Sequence, residues 1–305
     1  MLKKKAFNRI FLTTIVFFVV FSLYSLKETE DHYNETKSEQ KEENLANIYT
    51  LNDDNYISKT AVYVSKNLSL EDKIKEKLEI MIAENNKNAL LPSYFNPILP
   101  ENTKVEDVVV EESLVKVYFS KELMNITEEQ SEQMIEAITY TITDENILGI
   151  EIYVEGNMLK YVPHTNKKLP AVLTEDFGIN KTYEISKTDN IVKIVMTYYG
   201  SDNNDYYEIP VTKYVNDDRE KLEIIIEELE NLCTVNNLKT LVENLEVLEY
   251  NIEDTKITLN INKDLTSAEE NILLTSIFNN YDVDKIELLV KNEKKLEKTK
   301  KDIEK

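Results

Sequence analysis

Residues 99–123 read LPENTKVEDVVVEESLVKVYFSKEL, and residues 241–265 read LVENLEVLEYNIEDTKITLNINKDL. Laid on one another at a constant offset of 142, with no gap, they share Leu99/Leu241, Glu101/Glu243, Asn102/Asn244, Val105/Val247, Glu111/Glu253, Lys121/Lys263 and Leu123/Leu265. Chance gives roughly two identities in such a window, so the pairing marks an internal duplication. The apolar positions agree too: Val115, Val117 and Phe119 fall on Ile257, Leu259 and Ile261. Apolar alternation with period two marks a strand with one buried face.

The correspondence extends outward from these windows. Thr127 and Gln130 form a capping-box pattern before a helical stretch containing Ile135, Ile138 and Ile142. Ser267 and Glu270 form the same pattern before Leu273 and Ile277. The cap oxygen in each would accept from an orphan amide of the first turn. An alternating strand follows each helix, with Ile150, Ile152 and Val154 matching Ile286, Leu288 and Val290. Upstream, Ile74, Leu78, Met81 and Ile82 fall on one helical face, and so do Leu222, Ile225, Ile226, Leu229 and Cys233. Tyr63 and Val64 lie in a strand before the first of these helices. A hairpin precedes the second, over residues 191–199 and 206–214, turning at Ser201-Asp202-Asn203-Asn204. Each unit therefore reads β-α-β-β-α-β, which places the chain in the α+β class. The helices pack on one face of a small mixed sheet, and the other face or an edge strand is left available.

The ends have a different character. Residues 1–9 are basic, and residues 10–26, IFLTTIVFFVVFSLYSL, carry no charge. This run is a transmembrane anchor or signal segment, at the short end of what crosses a hydrocarbon core. The small residues near Ser22 and Ser25 fit a cleavage site poorly, which favours the uncleaved anchor. The flanking cations predict a cytoplasmic N-terminus with the bulk of the chain extracytoplasmic, in a single-pass arrangement. Residues 27–55 read as a flexible acidic stalk. Residues 56–156 form the first domain and residues 157–186 a connector, which its Pro163 and Pro170 mark as extended. Residues 187–291 form the second domain and residues 292–305 a Lys-rich tail, read as frayed or disordered.

Composition narrows the chemistry. The 305 residues carry a net charge of −21, and four cations precede Lys27, so the remainder is more acidic still. Nucleic-acid binding needs a basic footprint, and none is present. The four glycines do not cluster, as phosphate-cradling loops require. The single cysteine, Cys233, builds neither a disulfide framework nor a Cys-rich metal site. His32 falls in the stalk and His164 in the connector. The acidic pairs Glu111-Glu112 and Glu253-Asp254 fall at strand turns, where solvated carboxylates are ordinary, and Asp217-Asp218 adds a third pair. Asp202-Asn203-Asn204-Asp205 lacks the spacing and glycine of a calcium loop and reads as a hairpin turn. No catalytic residue, cofactor or metal site can be assembled from this inventory, and no binding residue is fixed by it.

The stretches quoted above, with residues 150–156 (IEIYVEG) and 286–292 (IELLVKN), resemble the GerMN domain family of bacterial sporulation and spore-germination proteins. The first copy has the family's LP-x-x-T-x-V opening in Leu99, Pro100, Thr103 and Val105, and its strand ends in Glu155-Gly156. The second copy lacks that proline and ends in Lys291-Asn292, so it is the more divergent. The resemblance covers about residues 57–291. It implies two tandem domains related to the ring-building folds of secretion-type assemblies. It also implies non-catalytic protein–protein association at a membrane during spore formation or germination. The partners it implies are other proteins of such an extracytoplasmic assembly, self-association included, with the membrane engaged through the N-terminal segment and no nucleic acid. Many members are lipoproteins, and this chain has no cysteine near its N-terminal segment. The rival reading is an extracytoplasmic ligand-sensing or wall-associated accessory module. It would bind a small molecule or glycan between the domains, with Tyr198, Tyr199, Tyr206 and Tyr207 as first candidates. Cross-strand packing is the competing account of those tyrosines.

Overall fold

The computed structural model describes residues 43–143, 147–202, 205–230 and 244–303. The basic segment 1–9, the anchor or signal segment 10–26 and the larger part of the stalk lie outside the described residues. Among the described residues no helix is long and apolar enough to cross a membrane.

The first half runs β1 (Glu43–Asn52), β2 (Ile57–Ser65), α1 (Leu70–Ile80), β3 (Phe95–Asn96), β4 (Val105–Glu111), β5 (Leu114–Phe119), α2 (Glu128–Ile142), β6 (Gly149–Val154) and β7 (Asn157–Met158). Its strands form two sheets, ordered β2-β1-β3 and β4-β5-β6-β7, rather than one. The segment between β3 and β4 carries Pro97 and Pro100, which cannot donate to a ladder and interrupt continuous pairing. The second half runs β8 (Thr182–Glu184), β9 (Ile191–Asp202), β10 (Asp205–Asn216), α3 (Lys221–Glu230), β11 (Val247–Glu253), β12 (Lys256–Ile261), α4 (Ser267–Phe278), β13 (Lys285–Val290), β14 (Glu293–Thr299) and α5 (Lys300–Ile303). Its sheets are β8-β10-β9 and β11-β12-β13-β14.

The duplication is visible in the register. Val115 faces Ile150, Val117 faces Ile152 and Phe119 faces Val154 across parallel strands joined by α2. Ile257, Leu259 and Ile261 face Ile286, Leu288 and Val290 in the same way across α4. Alternation puts these side chains on one face, and Val115, Val117, Phe119, Ile257, Leu259 and Ile261 are fully buried. Two apolar clusters result, one in each half. α2 is enclosed on every side: Met134 to Ile142 are all buried. A helix covered all round belongs between layers rather than on a surface.

Several boundaries differ from the sequence reading. The stalk does not reach residue 55, because β1 occupies part of it and buries Ala46, Ile48, Thr50 and Leu51. The inward Thr50 hydroxyl donates to the Asn96 carbonyl at 2.6 Å, so its burial leaves no orphan donor. The tail from residue 292 is ordered as β14, which pairs antiparallel with β13 and packs Leu296 on the second core. The connector contributes Val162, Leu169, Leu173 and Ile179 to the first core and β8 to the second half. The α4 cap is Thr266 with Glu269, one residue earlier than the Ser267/Glu270 pair. Thr127 caps α2, accepting from the Gln130 amide. Cys233 lies outside the described residues.

Ile48→Ala should cost about 2–5 kcal/mol, as for any fully buried large-to-small change, measured by urea unfolding with the first-half core as reporter. A residue in a stalk would cost nothing measurable.

Candidate functional site

The site begins in a strap, residues 174–181, that leaves the first core and meets β10. Thr174 caps a short 3-10 turn, Glu175–Phe177, which ends at Gly178 with φ +84°. A Cβ at Gly178 would sit 3.1 Å from Thr212 Oγ1 as well as needing a left-handed backbone, so glycine suits the position on both counts. Beyond it, the Ile179 amide donates to Thr212 Oγ1 at 3.0 Å and the Thr212 amide donates to the Ile179 carbonyl at 2.8 Å. Ile179 itself is buried in the first core.

Asn180 comes next and spans the seam between the halves. Its Nδ2 donates to the carbonyls of Ile57 on β2 and Pro210 on β10, at 2.7 and 2.8 Å. Its Oδ1 accepts from the Ile57 amide at 2.9 Å. Its own amide donates to Glu136 Oε2 at 2.8 Å. One side chain thus supplies the hydrogen bonds that two strands of separate sheets would otherwise lack.

Lys181 follows, its side chain almost wholly buried. It lies 2.6 Å from Glu132 and 3.0 Å from Glu136, with its ammonium 3.5 Å from the Phe177 ring centroid. Burial works against its charge, but Glu136 and Glu132 outweigh that and raise its pKa. Glu136 behaves differently. Burial pushes its carboxyl up to about 7, against the pull of Lys181 and the Asn180 amide. Burial also opposes ionisation of Glu132, which is less enclosed; its lysine partners prevail, and its pKa falls. Two carboxylates therefore share one buried ammonium, and Glu132 keeps the charge more firmly.

A second tie lies at the other end of the seam. Tyr207 on β10 faces Gly200 on β9. A Cβ at Gly200 would fall 2.3 Å from the Tyr207 ring, so the ring occupies the space a side chain would take. Tyr207 stacks on Tyr94 at 5.3 Å, meets Phe95 edge-on at 5.2 Å, and accepts from Asn52 Nδ2 at 3.3 Å. Lys59 and Glu208 form a looser ion pair across the seam at 3.6 Å.

These ties leave a cavity of about 240 Å³ between the halves. Tyr49 and Tyr140, packed edge-to-face at 5.5 Å, form part of its wall. The Tyr140 hydroxyl donates to the Glu175 carbonyl and so fixes the Glu175-Asp176 turn at the margin. The second half supplies Thr197, Pro210 and Phe278, and α5 supplies Lys300 and Ile303.

The residues singled out in the sequence lie elsewhere. Tyr198 is a core residue, Tyr199 packs against the same core, and Tyr207 serves the seam; none of the three lines the cavity. Nothing is described for the Tyr206 side chain or for His32. His164 Nε2 lies 2.9 Å from the Met124 carbonyl, an acceptor. Glu111 pairs with Lys116 beside a β-turn, and Asp217 is held far below the usual carboxylate range by hydrogen bonds from Arg219. Among the described residues, no group of three or more His, Cys, Asp or Glu is placed to hold a metal. The seam residues Asn180, Glu136 and Lys181 were missed in the sequence, where Asn180 and Lys181 stand in a connector and Glu136 is one of four glutamates on its helix.

The family described as "Sporulation and spore germination" (Germane) matches residues 47–160. The spore germination protein GerM of Bacillus subtilis (strain 168) is 24% identical over 259 residues, covering 82% of this chain and 70% of that protein. The solved tandem GerMN domains of the sporulation protein GerM from Bacillus subtilis superpose with a TM-score of 0.75 at 21% identity, covering 82% of this chain and 92% of that one. That likeness establishes the fold, and neither relative carries the name of an enzyme.

Two outcomes are expected at the seam. Asn180→Ala strands three backbone groups and should lower stability by about 3 kcal/mol, read by urea unfolding. Glu136, with its folded pKa raised above the unfolded value of 4.5, takes up a proton on folding between pH 7 and 4.5. Its contribution should therefore grow as pH falls through 7 and level off below 4.5. Glu136→Gln should match or exceed the parent in stability at pH 8 and lose that advantage at pH 5. An advantage independent of pH would contradict this account.

Proposed function

We propose that this chain, which belongs to the GerMN family of sporulation and spore germination proteins, acts without catalysis as a membrane-anchored extracytoplasmic protein that associates with other proteins. Residues 10–26 would anchor it, leaving both domains outside the cytoplasm. The contacts would be made by edge strands and helix faces, with other proteins of the assembly or with further copies of the chain.

The observation that supports this reading best is the edge strand β11. It has no neighbour on its outer side among the described residues, and it exposes Leu248 at 46% and Ile252 at 37%. At the equivalent positions of β4 stand Glu106, which is charged, and Val110, which packs on the first core. An unpaired, partly apolar edge is a template for another chain, and soluble proteins usually blunt such edges. The tied seam supports the reading as well, because it holds the two domains as one body and fixes the direction in which the edge faces.

A photo-crosslinking residue in place of Ile252, in the full chain expressed in a sporulating host, is expected to trap another extracytoplasmic protein or a second copy. The same residue in place of Tyr183 serves as the exposed control. Leu248→Lys with Ile252→Lys should leave the fold intact and cut the crosslinked yield and spore production by about tenfold, as loss of an apolar anchor does. Normal spore yield from the double variant, with no product crosslinked from position 252, would sink the proposal.

A further inference from the structure

We infer that the cavity between the two domains is a binding site for a small zwitterion with an apolar group, an amino acid or a short peptide. The inference goes beyond the association reading and does not depend on it.

The charges are the first observation. Lys59 of β2, Lys193 of β9 and Lys300 of α5 line the cavity, together with Glu175, Asp176 and Glu208. The whole chain carries −21, so an equal number of cations and carboxylates around one small space is a local property. A cavity lined by one sign would select an ion of the other. A balanced one offers a partner to each end of a zwitterion.

The arrangement of the charges is the second. Asp176 is 96% exposed, and Lys59 and Lys193 are about a quarter exposed, so the charged groups sit toward the rim. Thr197, Phe278 and Tyr140 are buried and add two hydroxyls and two aromatic rings to a lining that is otherwise mostly polar. Charged margins with a few apolar groups such as Phe278 and Ile303 among them suit a molecule with charged ends and a small hydrocarbon side group. Pockets for drug-sized ligands run to about 300–1,000 Å³, and this one, at about 240 Å³, takes something smaller.

The third is the last turn of the chain. After β14, α5 returns to the cavity and places Ile303 and Lys300 on its wall. Lys193 pairs with Asp176 at 3.0 Å and Lys59 with Glu208 at 3.6 Å, while Lys300 makes no ion pair among the described residues. Its ammonium is free to meet a carboxylate from a ligand. The two pairs both cross between the strands of β9 or β10 and the first half with its strap, so a ligand among them touches both domains.

Calorimetric titration of the full chain tests this with L-leucine and L-alanyl-L-alanine as probes. The comparison compounds are 4-methylpentanoate, which lacks the ammonium, and 3-methylbutylamine, which lacks the carboxylate. Saturable binding of at least one zwitterion is expected, weakened about tenfold or more for both single-charge compounds and in Lys300→Ala and Lys193→Ala. Both variants change exposed or partly exposed side chains, and their unfolding transitions confirm that they fold. The inference is overturned if neither zwitterion binds up to roughly 10 mM. It is equally overturned if a single-charge compound binds as tightly, or if both variants bind unchanged.

Discussion

The side-chain amide of Asn180 is the constraint around which the two halves are arranged. Strands β2 and β10 belong to different sheets, yet Ile57 and Pro210 present backbone groups to the same buried space. A buried carbonyl or amide without a partner costs about 1–3 kcal/mol. An amide side chain has both donors and an acceptor, so a single residue can serve Ile57 in both directions and Pro210 as well. Its backbone sits at φ +45°, a conformation asparagine tolerates better than most residues. The Glu136 carboxyl and the Lys181 ammonium then follow from its position, because the strap that delivers Asn180 also carries Lys181 against α2.

The two copies have kept their backbone and diverged on their surfaces. Asn102 and Asn244, identical in the duplicated windows, both have left-handed backbones, φ +63° and +53°. Their identity has a conformational cause. The turn after β6, Glu155-Gly156, has φ values of +48° and +74°, and the turn after β13, Lys291-Asn292, has +51° and +71°. Glycine in one copy and asparagine in the other serve the same turn. The outer faces, in contrast, differ in kind. Tyr118 and Tyr153 stack at 4.8 Å on the first sheet. The matching register positions in the second hold Asn260 and Leu289, with Asn260 bonded to Asn292. Beside them runs a ladder of Lys256, Glu287, Lys294, Glu297 and Lys285.

The legible part of the fold was the part with strong local periodicity. The strands around Val117 and Leu259 and the helices that follow them declare themselves through apolar spacing alone. β1 escaped notice because its inward positions include Ala46, Thr50 and Asn52, which are small or polar. β14 escaped because EKKLEKT has one apolar residue, Leu296, facing the core. The α4 cap was misplaced by one residue because Thr266 and Ser267 are adjacent hydroxyls, with Glu269 and Glu270 adjacent after them. The seam could not be read at all. Asn180 and Ile57 are 123 residues apart, and nothing local to either one announces the contact.

The pairing of Gly200 with Tyr207 limits the order in which this surface can change over generations. While the tyrosine ring covers the glycine, any side chain at position 200 collides with it at 2.3 Å. If the tyrosine is lost first, the glycine becomes an exposed weakness in a long strand, and most replacements there improve the strand. Once such a replacement has occurred, a tyrosine ring can no longer lie where it lies now. The two positions are therefore coupled in the order of their replacement: the aromatic tie to Tyr94 and Phe95 lasts only while position 200 stays bare, and without it the seam rests on the strap and the Lys59–Glu208 pair.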